Sequence, residues 1–460
     1  MTQVVVVGGG ITGLVAAHDA AIAGADVTLV DPGPLGGKVR SSPFDGGVLD
    51  EAADAFLARV PEGIELCRQL GIEGDLVSPA ARRAHVWSRG ALRPLPTGQV
   101  LGVPTDLDEL DASGILSPAG LARVRQELTT PLDPPVDDVT IGALMRHRLG
   151  DEAAERLVDP LVGGINAGDT DRLSLAATVP QLDTAARSGH ASLIEACRAQ
   201  RAAGGDPARP VFFAPRAGMG ALVAALADAL EALGVRVVPD AAGSIGRDGA
   251  AWRVQLTGGA SAPADGIVLA APAGPAAELL RPHAARAATL LAGIPYASVA
   301  LISLAVPREA IDRELDGSGF LVPRVEGRTI TACSWTSQKW PHLAGEDTAW
   351  LRASVGRDGA AAALDLPDEA LVDAVLADLA DTMALRGRPT EARVSRWTAS
   401  FPQYRPGHLD RVEVIDAELA AAMPHLAVAG AALRGLGVPA CIRQGQAAAR
   451  RVLAALDARP

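Results

Sequence analysis

The first apolar run is unbroken. Val4-Val5-Val6-Val7 are all β-branched, with no polar interruption, and predict a strand buried on both faces of a parallel sheet. Glycines follow, then a Pro-free helical run from Leu14 to Gly24, then a second strand over Val27-Thr28-Leu29-Val30. A helix is expected from about Pro61 to Gly71. His85–Ser88 and Ala91–Arg93 read as a hairpin around Arg89-Gly90. From Pro104 to Gln200 the pattern is helical and loop-rich, with breaks expected at Pro118, Pro131, Pro134-Pro135, Pro160 and Pro180. A linker is expected over 204–210. An amphipathic helix (Gly218–Leu233) and a strand (Val235–Val238) follow it. Next come Trp252–Leu256 and Ile267–Ala271, read as the arms of a hairpin. Strands are then expected at Ser298–Val306, Gly319–Val322, Ile330–Trp335 and Trp350–Val355, with a helix over Asp368–Leu385. The chain closes with a strand at Leu426–Gly430 and a helix from Pro439 to Leu456, with Pro near its first position. This order predicts an α/β fold. Discontinuous segments (1–80, 211–290 and 396–460) build a Rossmann-type nucleotide-binding domain. A substrate-binding sheet domain (81–103 and 291–395) and a helical subdomain (104–210) are inserted into it.

The glycines after the first strand carry chemistry. Gly8, Gly10 and Gly13, with Gly9, Ile11 and Thr12 between them, have the G-x-G-x-x-G spacing that opens a helix onto a pyrophosphate. Asp31 ends the second strand, where a carboxylate accepts hydrogen bonds from a ribose. A second glycine pair follows in Gly36-Gly37-Lys38, with Arg40 adding charge. This arrangement resembles flavoproteins that hold FAD permanently, so FAD is the expected cofactor rather than a nicotinamide dinucleotide.

Composition narrows the picture. The chain has 460 residues, too many for one ordinary domain, and 48% are hydrophobic, enough for a large core. A net charge of -12 argues against nucleic acid as a partner. Cys67, Cys197, Cys333 and Cys441 are far apart, with no zinc or disulfide spacing, so buried thiols in a reducing compartment are expected. The chain starts on a strand, and no signal peptide is expected. Leu290–Pro307 is the longest apolar stretch. It contains Gly293, Pro295, Ser298 and Ser303, so it reads as a bend into a buried strand and not a transmembrane segment. A soluble, cytoplasmic protein is expected.

Later motifs bring a resemblance. Leu92-Arg93-Pro94-Leu95-Pro96 and Gly163-Gly164-Ile165-Asn166-Ala167-Gly168-Asp169 are two of them. Phe213-Ala214-Pro215 with Gly218-Met219 and Ser337-Gln338-Lys339-Trp340-Pro341 are two more. Near the end stand Arg396-Trp397 with Phe401-Pro402-Gln403-Tyr404, and Ala429-Gly430-Ala431 with Gly435-Leu436-Gly437-Val438-Pro439. Together with the glycine motifs, these resemble the oxygen-dependent coproporphyrinogen and protoporphyrinogen oxidases of the flavin amine oxidase superfamily, nearly end to end. Asp31 stands where that family more often has Glu. Ala52-Ala53-Asp54-Ala55-Phe56 replaces a common Gly-Pro-Asp-Ser-Phe, and Asn166 replaces an aromatic.

The resemblance implies FAD contacts at Gly8–Gly13, Asp31, Lys38, Ala52, Ala53, Asp54 and Ala55. It also implies Ala242 by its backbone at the adenine, and Ala431, Leu436, Gly437 and Val438 near the ring. On the substrate side it implies Arg93 as an anchor for a propionate, Leu321 packing on a pyrrole, Gly164 at a close approach, and Lys339. The activity implied is oxidation of a porphyrinogen, with hydride passing to the flavin, dioxygen as acceptor and peroxide as product, in haem synthesis. A ferrochelatase-type enzyme is the implied downstream partner. No general base is assigned, because the macrocycle supplies its own electron flow. Coproporphyrinogen is favoured over protoporphyrinogen because no membrane segment is expected. An amine oxidase is disfavoured because only 3% of residues are aromatic.

Overall fold

The computed structural model describes residues 2–81, 83–204, 209–248, 251–343, 345 and 347–458. The linker expected at 204–210 falls largely outside them. A five-stranded parallel sheet runs in the order Arg236–Val238, Asp26–Val30, Gln3–Val7, Gly266–Leu269, Leu426–Val428. The four valines sit at its centre, and each of their faces has its own core. Val4 and Val6 pack beneath the helices Ile11–Ile22, Gly220–Ala232 and Val438–Asp457. Val5 and Val7 pack beneath Ala273–Leu280, Ala285–Ala292 and His408–Ala422. Two-sided cover is why the run needs no polar alternation.

The hairpin expected between Trp252–Leu256 and Ile267–Ala271 does not form. Ala251–Leu256 pairs antiparallel with Ala242–Asp248 and Ser261–Ala264, and Gly266–Leu269 enters the parallel sheet. Trp252, Val254 and Leu256 alternate with polar residues, as a strand with one solvated face requires. Gly266–Leu269 is buried throughout.

The second sheet has seven strands, ordered Glu391–Pro402, Tyr296–Pro307, Thr348–Val355, Ile330–Trp335, Gly319–Leu321, His85–Ser88, Ala91–Pro94. Its first strand runs on to Pro402, past the boundary expected at 395. The early hairpin turns through Arg89 (φ 56°) and Gly90 (φ 73°), the left-handed pair that matches strand twist. It joins the sheet by parallel pairing of Phe320 and Leu321 with His85 and Val86. One face of the sheet, including Phe320, Trp335, Leu351, Ala353 and Ile302, buries Leu371, Val375 and Leu379 of the helix Asp368–Met383. Strand alternation turns Leu321, Ser354, Leu301 and Ser395 to the other face.

That other face is partly roofed by the helical subdomain, whose core includes Val86 and takes Leu321 against it. Ser117, Thr140, Ser174 and Ser192 cap four of its helices through side-chain oxygens. Pro118 and Pro180 open helices rather than break them. The break expected at Pro160 is absent, because Ala154–Gly163 continues as a π-helix with the proline inside. The wider turn accommodates the missing N–H and the ring.

Candidate functional site

The nucleotide end is built by three glycine-rich turns. Gly8 (φ 110°) makes the first bend, and Gly13 lies so close behind it that a Cβ there would sit 1.8 Å from the Gly8 carbonyl oxygen. A Cβ on Gly10 would meet nothing within 4 Å, so the turn opens outward at that residue. Gly10 caps the helix Ile11–Ile22 with no side-chain hydrogen bond and no acid in the first turn. Its leading amides, with the positive end of the dipole, face an open site. The Asp31 carboxylate accepts from the Gly9 amide at 2.5 Å and the Gly33 amide at 2.7 Å, so it braces the turn and keeps lone pairs for a sugar hydroxyl. The Gly36 amide donates to the Gly9 carbonyl at 2.7 Å, which lays the second glycine pair along the first.

Lys38 is the test of fit. It is half-buried and, among the described residues, in no ion pair. Burial lowers its pKa, with a smaller opposing influence from the Cys441 thiol. A desolvated cation beside an uncapped helix start suits a pyrophosphate. Arg40, by contrast, is taken up by Glu51 and lies 5.4 Å from the Trp397 ring centre. Cys441 begins the second turn of Val438–Asp457, which also starts without an acid. Two helix starts thus converge on one place.

Residues 50–55 form the joint between the two sheets. Arg352 donates to the carbonyls of Asp50 and Ala52, both at 3.2 Å, and pairs with Asp54 at 2.9 Å. Lys339 pairs with the same carboxylate at 2.8 Å. Burial alone would raise the pKa of Asp54, but Arg352 and Lys339 outweigh it and hold the carboxyl well below its ordinary range. Lys339, expected on the substrate side, is here paired with Asp54 and lies 5.5 Å from the Trp340 ring centre. Ala53 and Ala55 pack against the core beneath the first helix, and Ala242 opens a strand at a bulge opposite Leu256. Sequence reasoning missed Arg352. The available signal was a charge in mid-strand within Trp350-Leu351-Arg352-Ala353, on the face opposite the apolar partners.

Asp50, beside this joint, accepts from the Ser41 hydroxyl at 2.5 Å and the Met219 amide at 2.8 Å. Burial pushes its pKa up to about 6 from 3.8, against those two hydrogen bonds. The folded protein thus holds this proton more tightly than the unfolded chain. The contribution to stability is full below about pH 4 and is lost as pH rises through about 6. Asp50→Asn should flatten the fall of Tm over that window. An unchanged slope would show that Asp50 is already ionised there.

The loop expected near a flavin ring runs from Gly430 (φ 128°) to Gly435 (φ 109°) and leads through Leu436 and Gly437 into the Val438 helix. The Tyr404 hydroxyl donates to the Ala431 carbonyl and accepts from the Gly435 amide.

The substrate side is a row across the second sheet. In register stand Arg93, Val86, Leu321, Ala332, Ser354, Leu301 and Ser395. Ala332 to Ser395 is half-buried and open on one side. Gly164 comes within 3.8 Å of Leu321, measured from where its Cβ would stand, and Ile165 beside it is 64% exposed. Arg93, Leu321 and Gly164 are thus brought to one end of the row, and Lys339 is not. Arg93 Nε donates to the Ser88 carbonyl at 2.9 Å, and among the described residues its guanidinium has no carboxylate. Asn166 turns its amide inward onto the Val162 carbonyl at 2.8 Å.

The profile of the flavin containing amine oxidoreductase family matches residues 11–453. The chain is 34% identical to the coproporphyrinogen III oxidase of Bacillus subtilis, with 97% of each chain covered. It is 36% identical to that of Propionibacterium freudenreichii, covering 100% of this chain and 92% of the relative. It superposes with a TM-score of 0.87, at 31% identity and 98% coverage of both chains, on a crystal structure from Exiguobacterium provisionally called a protoporphyrinogen oxidase. The chain belongs to the flavin containing amine oxidoreductase family and, within it, to the coproporphyrinogen III oxidases.

Proposed function

We propose that this protein holds FAD and oxidises coproporphyrinogen III to coproporphyrin III with dioxygen, releasing peroxide, as a cytoplasmic enzyme of haem synthesis. The observation that carries the reading is the pairing of two features in one molecule. One is an uncapped glycine turn with the uncompensated cation Lys38. The other is a half-buried apolar and hydroxyl row from Leu321 to Ser395, beyond which the fully buried Val86 separates it from Arg93, whose guanidinium has no carboxylate among the described residues.

FAD, when bound, supplies the two-electron acceptor. The chain's own part is to bind, orient and dry the macrocycle. Leu321, Ala332 and Leu301 offer an apolar floor to the tetrapyrrole, and Gly164 leaves room above Leu321. Ser354 and Ser395 place hydroxyls between the apolar residues. The row holds no carboxylate, histidine or lysine, which suits a substrate that rearranges its own protons. Side-by-side turnover of coproporphyrinogen III and protoporphyrinogen IX under air, with peroxide measured, tests the reading. Turnover of protoporphyrinogen alone, or equal anaerobic turnover with NAD and no peroxide, would overturn it.

Arg93 carries the sharpest expectation on the substrate. Losing one partly desolvated, charge-assisted pair costs about 1.5–3 kcal/mol, or roughly tenfold to a hundredfold in kcat/KM. Arg93→Ala should show that loss on the tetra-acid and little on its tetraester. Arg93→Lys, keeping charge without the planar fork, should fall between. Equal losses on acid and ester would leave Arg93 a hairpin residue held by Ser88.

A further inference from the structure

The Ala431–Gly435 turn makes few bonds of its own. Leu433 donates back to the Gly430 carbonyl at 3.1 Å, and the remaining support comes from outside it. Tyr404 is 3% exposed and reaches in with its hydroxyl. That hydroxyl donates to the Ala431 carbonyl at 2.5 Å and accepts from the Gly435 amide at 2.9 Å. One oxygen thus closes the two ends of the turn. His408, wholly buried, stacks on the Tyr404 ring at 4.1 Å between centres and 20° between planes. Its Nε2 donates to the Leu433 carbonyl at 2.8 Å, which fixes the apex. Since that partner is a carbonyl, Nε2 carries the hydrogen. The ring pair is itself anchored on the helical subdomain. The Tyr404 carbonyl accepts from the Ser174 amide at 2.8 Å, and the Gly407 amide donates to Asp138 at 2.9 Å, which also holds the Ser174 hydroxyl.

We infer that Tyr404 is a positioning residue for the cofactor, acting through the Ala431–Gly435 backbone rather than by touching the flavin. This rests on the reading that FAD is bound and that this turn lies near its ring. A turn held at both ends and at its apex presents a fixed set of backbone dipoles to the ring. If the hydroxyl is lost, the Gly435 amide and the Ala431 carbonyl become unsatisfied, and the turn must move to find water. The dipoles facing the ring then change, and with them the preference for the reduced, more negative flavin.

The chain contains one other tyrosine, which supplies the control. The Tyr296 hydroxyl also accepts a backbone amide, that of Ala273 at 3.0 Å, and it packs against the same core as Ala432 and Leu433 but makes no hydrogen bond to the turn among the described residues, so it isolates the bond from the neighbourhood. The experiment compares wild-type holoprotein with Tyr404→Phe and Tyr296→Phe. Three readouts are taken: release of FAD followed by the fluorescence of the free flavin, the flavin midpoint potential, and kcat and KM separately. Tyr404→Phe should release FAD roughly tenfold faster, the scale of a lost buried hydrogen bond. It should also shift the potential and lower kcat more than it raises KM. Tyr296→Phe should lower Tm and leave all three unchanged. If Tyr404→Phe does not accumulate as folded protein, His408→Asn, which frees only the apex, should move release and potential in the same direction by less. Unchanged release and potential in the folded variant would overturn the inference and leave Tyr404 a packing residue. A wild-type protein that takes up no FAD would instead overturn the cofactor reading.

Discussion

Gly10→Val is expected to give a folded, colourless protein. Among the described residues, chain neighbours aside, nothing lies within 4 Å of the position a Cβ would take at Gly10, and the residue already has extended angles (φ -70°, ψ 172°) that valine accepts. The fold therefore has no reason to resist the substitution. On the proposed reading, the new side chain would occupy the space that a pyrophosphate needs. Gly13→Val is expected to behave in the opposite way. Its Cβ would be driven to 1.8 Å from the Gly8 carbonyl oxygen, and the backbone of the first turn would have to separate. Overpacking of this kind costs about 3 kcal/mol or more. The pair separates two duties that the glycine motif combines. Melting should be measured without added flavin, because bound ligand raises Tm on its own account. Gly10→Val should then melt like wild-type apoprotein and show no flavin absorbance. A yellow, stoichiometrically loaded Gly10→Val protein would remove the dinucleotide from this turn.

Asp54→Ala should be the most damaging change at the joint. Lys339 and Arg352, 17% and 12% exposed, would be left facing each other without a counter-ion. Removing one partner of a buried pair costs about 3–5 kcal/mol, chiefly for the stranded charge. Here two charges are stranded. Thermal or urea unfolding should show the loss, and Asp54→Ala combined with Lys339→Met should recover part of it by taking away one orphan. The pH dependence has a fixed sign. The folded carboxyl is held below its ordinary value, so its contribution is complete above about pH 4 and fades as pH falls below that. Wild type and Asp54→Ala should therefore converge in stability in acid. Two variants separated by the same amount at pH 3 and pH 7 would show that Asp54 stabilises by packing and not by charge.

What could be read from the chain beforehand was whatever is local. The valine strand, its glycine turn, the first helix and Asp31 follow one another within thirty residues, so pattern and turn chemistry suffice. The strand Ile330–Trp335 and the closing helix were legible for the same reason, through alternation in one and an N-terminal proline in the other. Long-range pairing was not. Nothing in Trp252–Leu256 announces that its partners are Ala242–Asp248 and Ser261–Ala264, since an alternating strand accepts any neighbour with a matching face. Lys339 shows the limit at the site. Its neighbour Trp340 and its motif are visible, but the acid it meets lies 285 residues away in the chain. Pro160 shows a second limit. A proline argues against an α-helix, and a π-helix evades the argument by widening the turn.

The first sheet takes its last strand, Leu426–Val428, from near the end of the chain, and the helix after it lies against the first helix, where a Cβ on Gly445 would stand 2.3 Å from the Thr12 carbonyl oxygen. On the ribosome, Gly266–Leu269 fills the edge of the first strand, and its own outer edge then stays open until Leu426–Val428 is made. Until the tail arrives, the start of the first helix lacks the wall that carries Cys441. The inserted sheet and the helical subdomain are synthesised in that interval and can fold around their own cores. The wall of the pocket that carries Cys441 is thus made after the inserted sheet and the helical subdomain. In that interval the open edge of Gly266–Leu269 must be kept from pairing with another chain until Leu426–Val428 covers it.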